Sequence, residues 1–173
     1  MTNDPTSTGD PAAGGRSAFG LWSDLRTWQR YATPDGCPVC QSIRSTGQPE
    51  DTLVALEASW VTAPAQAPLP GYVCLIARRH VIEPYDLPGA EQQAFFDDAM
   101  RTARAVAEVV RPVRVNYEIH GNSIPHLHLH IYPRHADDPF IGGAIDLRNL
   151  PFTRSHQQLT ALRDAIQAAT PDR

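Results

Sequence analysis

The chain has 173 residues, of which 42% are hydrophobic and 20% charged, so it can bury one good core and is most simply a single domain. A formal net charge of −4 disfavours a non-specific nucleic-acid binder, which is normally basic. The polar start, Met1 to Ser17, lacks the apolar segment of a signal peptide, and no apolar run is long enough to cross a bilayer. We therefore expect a cytoplasmic protein with neither nucleic-acid nor membrane partners. All fifteen basic residues are arginines, which excludes lysine nucleophiles and phosphate-loop lysines.

The N-terminal part of the chain divides into a tail and a helix. Residues 1–18 are rich in Thr, Ser, Gly, Pro and Ala and predict a disordered tail, whereas residues 19–173 are predicted to form one domain. From Phe19 to Tyr31, apolar residues at helical spacing predict a short amphipathic helix; they are Leu21, Trp22, Leu25 and Trp28. We expect the two tryptophans to be core or dimer-contact residues.

A Cys-x-x-Cys motif, Cys37 to Cys40, follows in a segment whose sequence predicts a tight turn. The spacing is typical of half a zinc site or of a redox pair. A redox pair would open a helix after a buried strand, but only an irregular segment precedes this one. A closed zinc site needs four ligands, so two would come from elsewhere. Cys74, in a separate apolar run, is predicted to be a packed core thiol.

Periodicity predicts three strands after this motif, Thr52–Glu57, Ser59–Thr62 and Gly71–Ala77, with a loop from Ala63 to Pro70 before the third. The third strand is almost entirely apolar and is therefore predicted to be central. A fourth strand, Val113–Ile119, alternates so that four side chains should face inward: Val113, Val115, Tyr117 and Ile119. The turn from His120 to Ser123 then predicts an antiparallel hairpin with the next strand.

Two further helices are predicted. The longer runs from about Gly89 to Arg111, with an apolar face formed by Phe95, Ala99, Ala103, Val106 and Val110. Its charged residues are predicted to form a solvated face; they are Glu91, Asp97, Asp98, Arg101 and Arg104. After a loop from Ala136 to Pro151, Ser155 is expected to cap a C-terminal helix that ends near Ala169.

The strand after the hairpin turn carries the most informative pattern in the chain. Apolar and polar residues alternate from His126 to Ile131, so the three leucine and isoleucine side chains face one way and the three histidines the other. Residues on the same face of a strand lie about 6.6 Å apart. The resulting row, His126, His128 and His130, is able to bind metal, contact phosphate or supply a nucleophile.

Two other interpretations of the row are open at this point. The simpler is a solvated strand face that happens to hold three of the seven histidines. The stronger is a metal site, because His-x-His on a strand is common in zinc and iron proteins. No Asp or Glu stands between His126 and Pro133 to complete a two-His-one-carboxylate set.

The row resembles the signature of the histidine-triad (HIT) family of nucleotide hydrolases and transferases, in which three histidines alternate with apolar residues. A small polar turn usually precedes it in that family, as Gly121-Asn122-Ser123 does here. The resemblance covers roughly Cys37 to His135. It implies an α+β fold, with an antiparallel sheet of about five strands packed against one long helix, a C-terminal helix, and commonly a homodimer.

The resemblance also implies an activity. The protein would be a phosphohydrolase or nucleotidyltransferase acting at the α-phosphate of a small-molecule nucleotide, either a dinucleoside polyphosphate or a nucleoside phosphoramidate. His128 would attack the phosphorus to form a nucleotidyl-histidine, and His130 would bind the non-bridging oxygens. Ser123 and Asn122 would contact or protonate the leaving phosphate.

Two more substrate contacts are suggested by the same comparison. Arg134 resembles the arginine that often follows the triad and would touch phosphate. Glu57 would substitute for a ribose-binding Asp that relatives carry near Ala63. Tyr72 departs from the family, because many members have a His at that position.

In the zinc-binding branch of the family, a Cys-x-x-Cys pairs with an upstream His and with the first His of the triad. The corresponding ligands here would be Cys37, Cys40, His80 and His126. With all four places filled by protein, zinc would be structural. The alternative is a metal-free fold with reduced thiols.

Two rival functions remain open from the sequence. One is a non-catalytic module that binds a nucleotide or a protein, which the departures at Tyr72 and Ala63 favour. The other is an enzyme with an open catalytic zinc, which would lose activity on chelation and form no covalent intermediate.

Overall fold

The computed structural model of the chain describes residues 24–140 and 142–169. The predicted tail, Trp22 and the first part of the helix predicted from Phe19 lie outside these residues. The described part of that helix begins after Asp24, whose carboxylate accepts a hydrogen bond from the backbone N–H of Thr27. This bond caps the helix by satisfying one of its unpaired N–H groups.

The described residues form four α-helices and seven β-strands. The helices are α1 (Leu25–Tyr31), α2 (Pro38–Thr46), α3 (Gly89–Val110) and α4 (His156–Ala168). The strands are β1 (Thr52–Ala55), β2 (Ser59–Thr62), β3 (Gln66–Ala67), β4 (Val73–Ala77), β5 (Arg114–Ile119), β6 (His128–Arg134) and β7 (Phe152–Thr153). A short 3-10 helix, Pro84–Asp86, leads into α3.

Five strands make one antiparallel sheet in the order β1-β2-β4-β6-β5. β4 is its middle strand, as the nearly continuous apolar sequence predicts. β3 and β7 form a separate two-stranded ribbon. Helix α3 packs against β6 and α4. This is the predicted α+β architecture, a five-stranded sheet with one long helix and a C-terminal helix.

Each face of the sheet carries a cluster of buried side chains, because successive residues of a strand point to opposite sides. The face towards α3 holds the main core, where Leu75 and Leu129 of the middle strands pack with Phe95 of α3. The opposite face, which we call the second face, holds a smaller cluster: Ala67, Leu69, Tyr72, Cys74, Tyr132 and Phe140. Cys74 is 8% exposed there, so the prediction of a packed thiol is confirmed.

The Cys-x-x-Cys motif does not lie in a tight turn. Cys37 is the N-cap of α2, and Cys40 lies in the first turn of that helix. Pro38 occupies the first helical position, where an N–H is not needed, and Gly47 ends the helix with a φ of 84°. The segment that reads as a turn is therefore a helix start. Strand boundaries also differ: β1 ends at Ala55, β4 begins at Val73 and β5 at Arg114. The strand β3 was not predicted and lies within the predicted loop from Ala63 to Pro70.

The prediction that Val113, Tyr117 and Ile119 face the interior is wrong. These side chains are 78%, 45% and 41% exposed, and only Val115 of the four packs against the main core. The strand register does place Tyr117 beside Ile131, on the α3 side of the sheet. β5 is an edge strand, however, and α3 packs over its neighbour β6, so the apolar side of β5 stays uncovered.

Asp98 is not part of the solvated face of α3. It is fully buried, and its carboxylate accepts hydrogen bonds from the backbone N–H of Ala58 and the hydroxyl of Ser59, each at 2.9 Å. Arg101 forms an ion pair with it at 3.0 Å. These donors compensate the cost of burying the charge and attach α3 to the turn between β1 and β2.

Candidate active site and metal-ligand cluster

His128 is the first residue of β6, and its half-buried ring lies on the second face of the sheet. Nδ1 lies 2.7 Å from the carbonyl oxygen of His126, so the Nδ1–H donates to that carbonyl. Burial lowers the pKa of His128 below its usual value, which keeps the ring neutral near pH 7. With the tautomer fixed in this way, the lone pair of Nε2 is available to act as a nucleophile.

His130 follows on the same face, and its ring centroid lies 4.9 Å from that of His128. Burial, with the charges of His128 and His120, lowers the pKa of His130 to about 3. The phenolic oxygen of Tyr72 lies 2.9 Å from Nδ1 of His130. Burial raises the pKa of Tyr72, so the hydroxyl keeps its proton and donates to Nδ1. Nε2 of His130 then carries the ring proton and can donate to an anion.

Glu118 and His120, which the sequence analysis missed, lie beside the row. Glu118 pairs with His130 across the β5–β6 ladder. Nε2 of His120 lies 2.8 Å from a carboxylate oxygen of Glu118, and the His120 and His130 ring centroids are 5.5 Å apart. The sequence does carry a signal for these two residues, because the polar Glu118 and His120 alternate with the apolar Ile119 along the predicted strand. The predicted hairpin therefore places both on the same side as the histidines.

The connection that precedes the row runs from His120 to Leu127, because β6 begins at His128 rather than His126. Asn122 and Ser123 are exposed in this connection, and within the described residues neither forms a hydrogen bond to a histidine. The indole N–H of Trp28 donates to the carbonyl of Gly121 at 2.7 Å. Helix α1 therefore contacts the turn that holds both predicted leaving-group residues.

Four side chains, which include the first histidine of the row, form a possible metal-binding group. The ligand atoms of Cys37, Cys40, His80 and His126 all lie within 4.8 Å of one another. Cys37 and His126 are buried, and the other two residues are partly exposed. The group joins the start of α2, the segment after β4 and the residue that accepts the hydrogen bond from His128.

The two histidines of this group direct their Nδ1 atoms towards a common point. Nε2 of His80 lies 3.1 Å from the carbonyl of Ala32, and Nε2 of His126 lies 2.9 Å from that of Ala77. Each Nε2–H therefore donates to a carbonyl, and both Nδ1 atoms keep a free lone pair. The two Nδ1 atoms lie 3.2 Å apart. Burial lowers the pKa of His126 to about 4, so its Nδ1 stays unprotonated near pH 7.

The separations within the group fit a tetrahedral metal ion. With metal–nitrogen bonds of about 2.0–2.1 Å and metal–sulfur bonds of about 2.3 Å, tetrahedral ligands lie about 3.4 Å apart for two nitrogens and about 3.6 Å apart for sulfur and nitrogen. The nitrogen pair here is at 3.2 Å, and three of the four sulfur–nitrogen distances are 3.4, 3.5 and 3.7 Å. The donor set therefore suits a closed four-ligand site better than a redox pair.

Two predicted substrate ligands have other surroundings in the structure. Arg134 forms a two-point ion pair with Asp138 at 2.7 and 2.8 Å and also donates to the carbonyl of Phe140. Its contact with phosphate stays a prediction. Glu57 lies in the turn between β1 and β2 and lines a depression with Arg79 and Glu91 near the start of α3. Its ribose contact stays a prediction.

The site combines two neighbouring histidines of β6 with a free Nε2 lone pair on His128, an arrangement that is able to contact phosphate. A family model described as the HIT domain matches residues 45–137, more than half of the chain. The chain belongs to the HIT family. Membership supports a nucleotide-binding or nucleotide hydrolase or transferase role. A comparison with curated proteins gave no significant match.

Solved structures share the fold. A histidine triad protein from Bradyrhizobium japonicum has a TM-score of 0.61 at 25% identity, with 69% of this chain and 91% of that chain covered. One from Marinobacter aquaeolei VT8 has a TM-score of 0.59 at 24% identity, with 68% and 86% covered. A Zn-bound histidine triad family protein from Mycobacterium smegmatis has a TM-score of 0.54 at 21% identity, with 73% and 91% covered.

Proposed function

We propose that the protein is a nucleotide phosphohydrolase or nucleotidyltransferase that acts at the α-phosphate through His128. The observation that carries the proposal is the hydrogen bond from Nδ1 of His128 to the His126 carbonyl, which leaves Nε2 free. Nε2 attacks the α-phosphorus and forms a nucleotidyl-histidine, so that one difficult displacement becomes two easier ones. Water, phosphate or another nucleotide then accepts the nucleotidyl group.

Neighbouring groups stabilise the charge that develops on the phosphate. His130 donates its Nε2–H to a non-bridging oxygen, and the Tyr72 hydroxyl on Nδ1 maintains that tautomer. Asn122 and Ser123 contact the leaving group from the exposed turn before the row. Backbone N–H groups of the turn offset further charge.

The nucleoside is proposed to lie on the second face of the sheet, beside the row. The strand register puts Trp60 and Thr62 of β2 on this face, in line with His128 and His130 respectively across β4. The indole of Trp60 suits a stacked base, whereas Thr62 is buried and its hydroxyl donates to the carbonyl of Cys74.

Zinc is the proposed occupant of the four-ligand group, because two thiolates and two imidazoles in a tetrahedron are a preferred zinc environment. When bound, zinc supplies structural cross-linking and no open coordination place. Cys37 and Cys40 would hold the start of α2, His80 the segment after β4, and His126 the residue whose carbonyl orients His128.

We further propose a homodimer that forms through β5. The support is the uncovered apolar side of this edge strand, at Val113, Tyr117 and Ile119.

Within residues 24–140 and 142–169, none of the helices combines the length and the apolar character needed to cross a membrane. The cytoplasmic location and the lack of a nucleic-acid partner rest on composition and remain predictions.

Turnover of an adenosine phosphoramidate and of a diadenosine polyphosphate, with the products identified, tests the proposal. We expect the wild-type protein to release a nucleoside monophosphate and His128→Gln to lose about 10³-fold or more in kcat. His156→Gln, the same change at an exposed histidine of α4, should leave turnover unchanged. Tight binding of these nucleotides without turnover by the wild-type protein would contradict the proposal and support a binding module.

A further inference from the structure

We propose that His120, held by Glu118, protonates the leaving group when the bond to the α-phosphorus breaks. The inference rests on the proposed function and extends it, because it assigns a proton donor that neither the triad histidines nor Ser123 supplies. His128 is occupied as the nucleophile and His130 as a neutral hydrogen-bond donor. A serine hydroxyl is too weak an acid to donate its proton near pH 7 unless another group reprotonates it.

The position of His120 suits this role. The His120 ring centroid lies 5.5 Å from that of His130 and, by strand alternation, His120 follows Glu118 on the face that carries the row. Directly after it comes the turn with Asn122 and Ser123, which contact the leaving group in the proposed function. His120 therefore stands between the α-phosphate subsite and the exposed exit from it, with its side chain 49% exposed.

The hydrogen bonding of His120 leaves one nitrogen for the substrate. Nε2 lies 2.8 Å from Oε2 of Glu118, and among the described residues Nδ1 has no hydrogen-bond partner. A carboxylate on one ring nitrogen fixes the orientation of the imidazole, and a protonated imidazole has N–H groups on both nitrogens. Glu118 is thus a positioning residue, and Nδ1–H of His120 is the donor.

The two chemical steps balance with these groups. In the first, Nε2 of His128 bonds to the α-phosphorus while the bond to the leaving atom breaks, and that atom keeps the electron pair and takes the proton from Nδ1 of His120. In the second, water attacks the phosphorus and neutral His120 accepts a proton from it. The phosphorus–nitrogen bond then breaks, and its electron pair returns to Nε2 of His128.

The test compares two substrates that share the adenylyl group and differ in the leaving group. The p-nitrophenyl ester of AMP releases a stable phenolate and needs no proton, whereas the N-alkyl phosphoramidate of AMP must release a protonated amine. His120→Asn should lower kcat/KM for the phosphoramidate by about 10²-fold or more and for the ester by less than about threefold. Glu118→Gln should also lower kcat/KM more for the phosphoramidate than for the ester, but by a smaller factor. His156→Asn should change kcat/KM for neither substrate.

The results with the two substrates distinguish a failure of the His120 role from a failure of the proposed function. Equal losses on both substrates, or no loss on either, would overturn the role of His120 while leaving His128 chemistry in place. No turnover of either substrate by the wild-type protein would overturn the proposed function and this inference together. Because His120 is half-exposed, the variant should keep the wild-type thermal midpoint, and His120→Gln provides a second test of the same preference.

Discussion

Arg154 donates hydrogen bonds from its guanidinium to the backbone carbonyls of Tyr72 and Pro64. The residue is 6% exposed, and burial lowers the pKa of its guanidinium to about 10. It comes from the segment between β7 and α4, 82 residues after Tyr72 in the chain. The side chain whose hydroxyl orients His130 is therefore held in place from the C-terminal part of the domain.

Removal of the Tyr72 hydroxyl should release the tautomer of His130. We expect Tyr72→Phe to lower kcat about fivefold to tenfold, the effect of one buried neutral hydrogen bond. Nitrogen-15 NMR of the histidine rings should show the Nε2–H form of His130 in the wild-type protein and a mixture of tautomers in the variant. The control is Tyr132→Phe, because the Tyr132 hydroxyl is buried and has no hydrogen-bond partner in the described part of the chain. An unchanged His130 spectrum in Tyr72→Phe would contradict the account.

Metal analysis should find one zinc ion per chain. Cys37→Ser and Cys40→Ser should lose it, together with part of the thermal stability, because each removes one of four ligands. Cys74→Ala is the matched control, since this cysteine lies in the cluster on the second face and should not change the zinc content. A protein that is purified without metal and carries a Cys37–Cys40 disulfide would instead support the redox pair.

Asp138→Asn should destabilise the protein at neutral pH by about 2 kcal/mol, because the carboxylate is buried and paired with Arg134. The hydrogen bonds from Arg134 lower the pKa of Asp138 to about 2 from an ordinary value of 3.8. A carboxylate with a lowered folded-state pKa stabilises the fold above the unfolded pKa, and this stabilisation is lost as the pH falls through the folded value. Denaturant unfolding should therefore show the difference between wild type and variant shrinking from pH 4 to pH 2.

Asp146→Asn is the control for that series. Its ion pair with Arg148 is also close, at 2.8 Å, but both side chains are substantially exposed. Solvent screens such a pair, so the free energy of unfolding should change much less than it does in Asp138→Asn. Equal losses from the two substitutions would show that burial of Asp138 does not matter.

Sedimentation equilibrium should give twice the chain mass for the wild-type protein. Tyr117→Glu puts a charge on the uncovered side of β5 and should yield a monomer, since burying an unpaired charge in an interface is costly. Tyr85→Glu makes the same change at a tyrosine that is 76% exposed in the 3-10 helix, and should leave the dimer intact. A monomeric wild-type protein would exclude this role for β5.

The elements predicted most successfully are those whose own residues determine them. The alternation along His128, Leu129 and His130 specifies a strand with two distinct faces, and the spacing of Phe95 and Ala99 specifies the buried side of α3. The Cys-x-x-Cys spacing suggests half of a zinc site and the resemblance suggests the other two ligands, and the structure brings Cys37, Cys40, His80 and His126 together.

The predictions that failed depend on neighbours that a sequence does not display. In the sequence, Asp98 has the pattern of an exposed charged residue of a helix. Its burial depends on hydrogen bonds from the Ser59 hydroxyl and the Ala58 N–H, which only the tertiary structure brings to it. Tyr117 alternates as an inward residue does, but its burial depends on a covering layer that α3 does not provide. Arg154 has no local signal at all, because its partner Tyr72 is reached only through the tertiary fold.

The covalent intermediate on His128 is the most direct test of the account. The wild-type protein is mixed with a diadenosine polyphosphate and quenched within the first turnover in alkaline denaturant, which preserves the phosphorus–nitrogen bond. Intact-mass and peptide analysis should then find one adenylyl group on His128 and none in His128→Gln. Product formation by the wild-type protein with no adduct, or an adduct at another residue, would contradict the assignment of His128 as nucleophile.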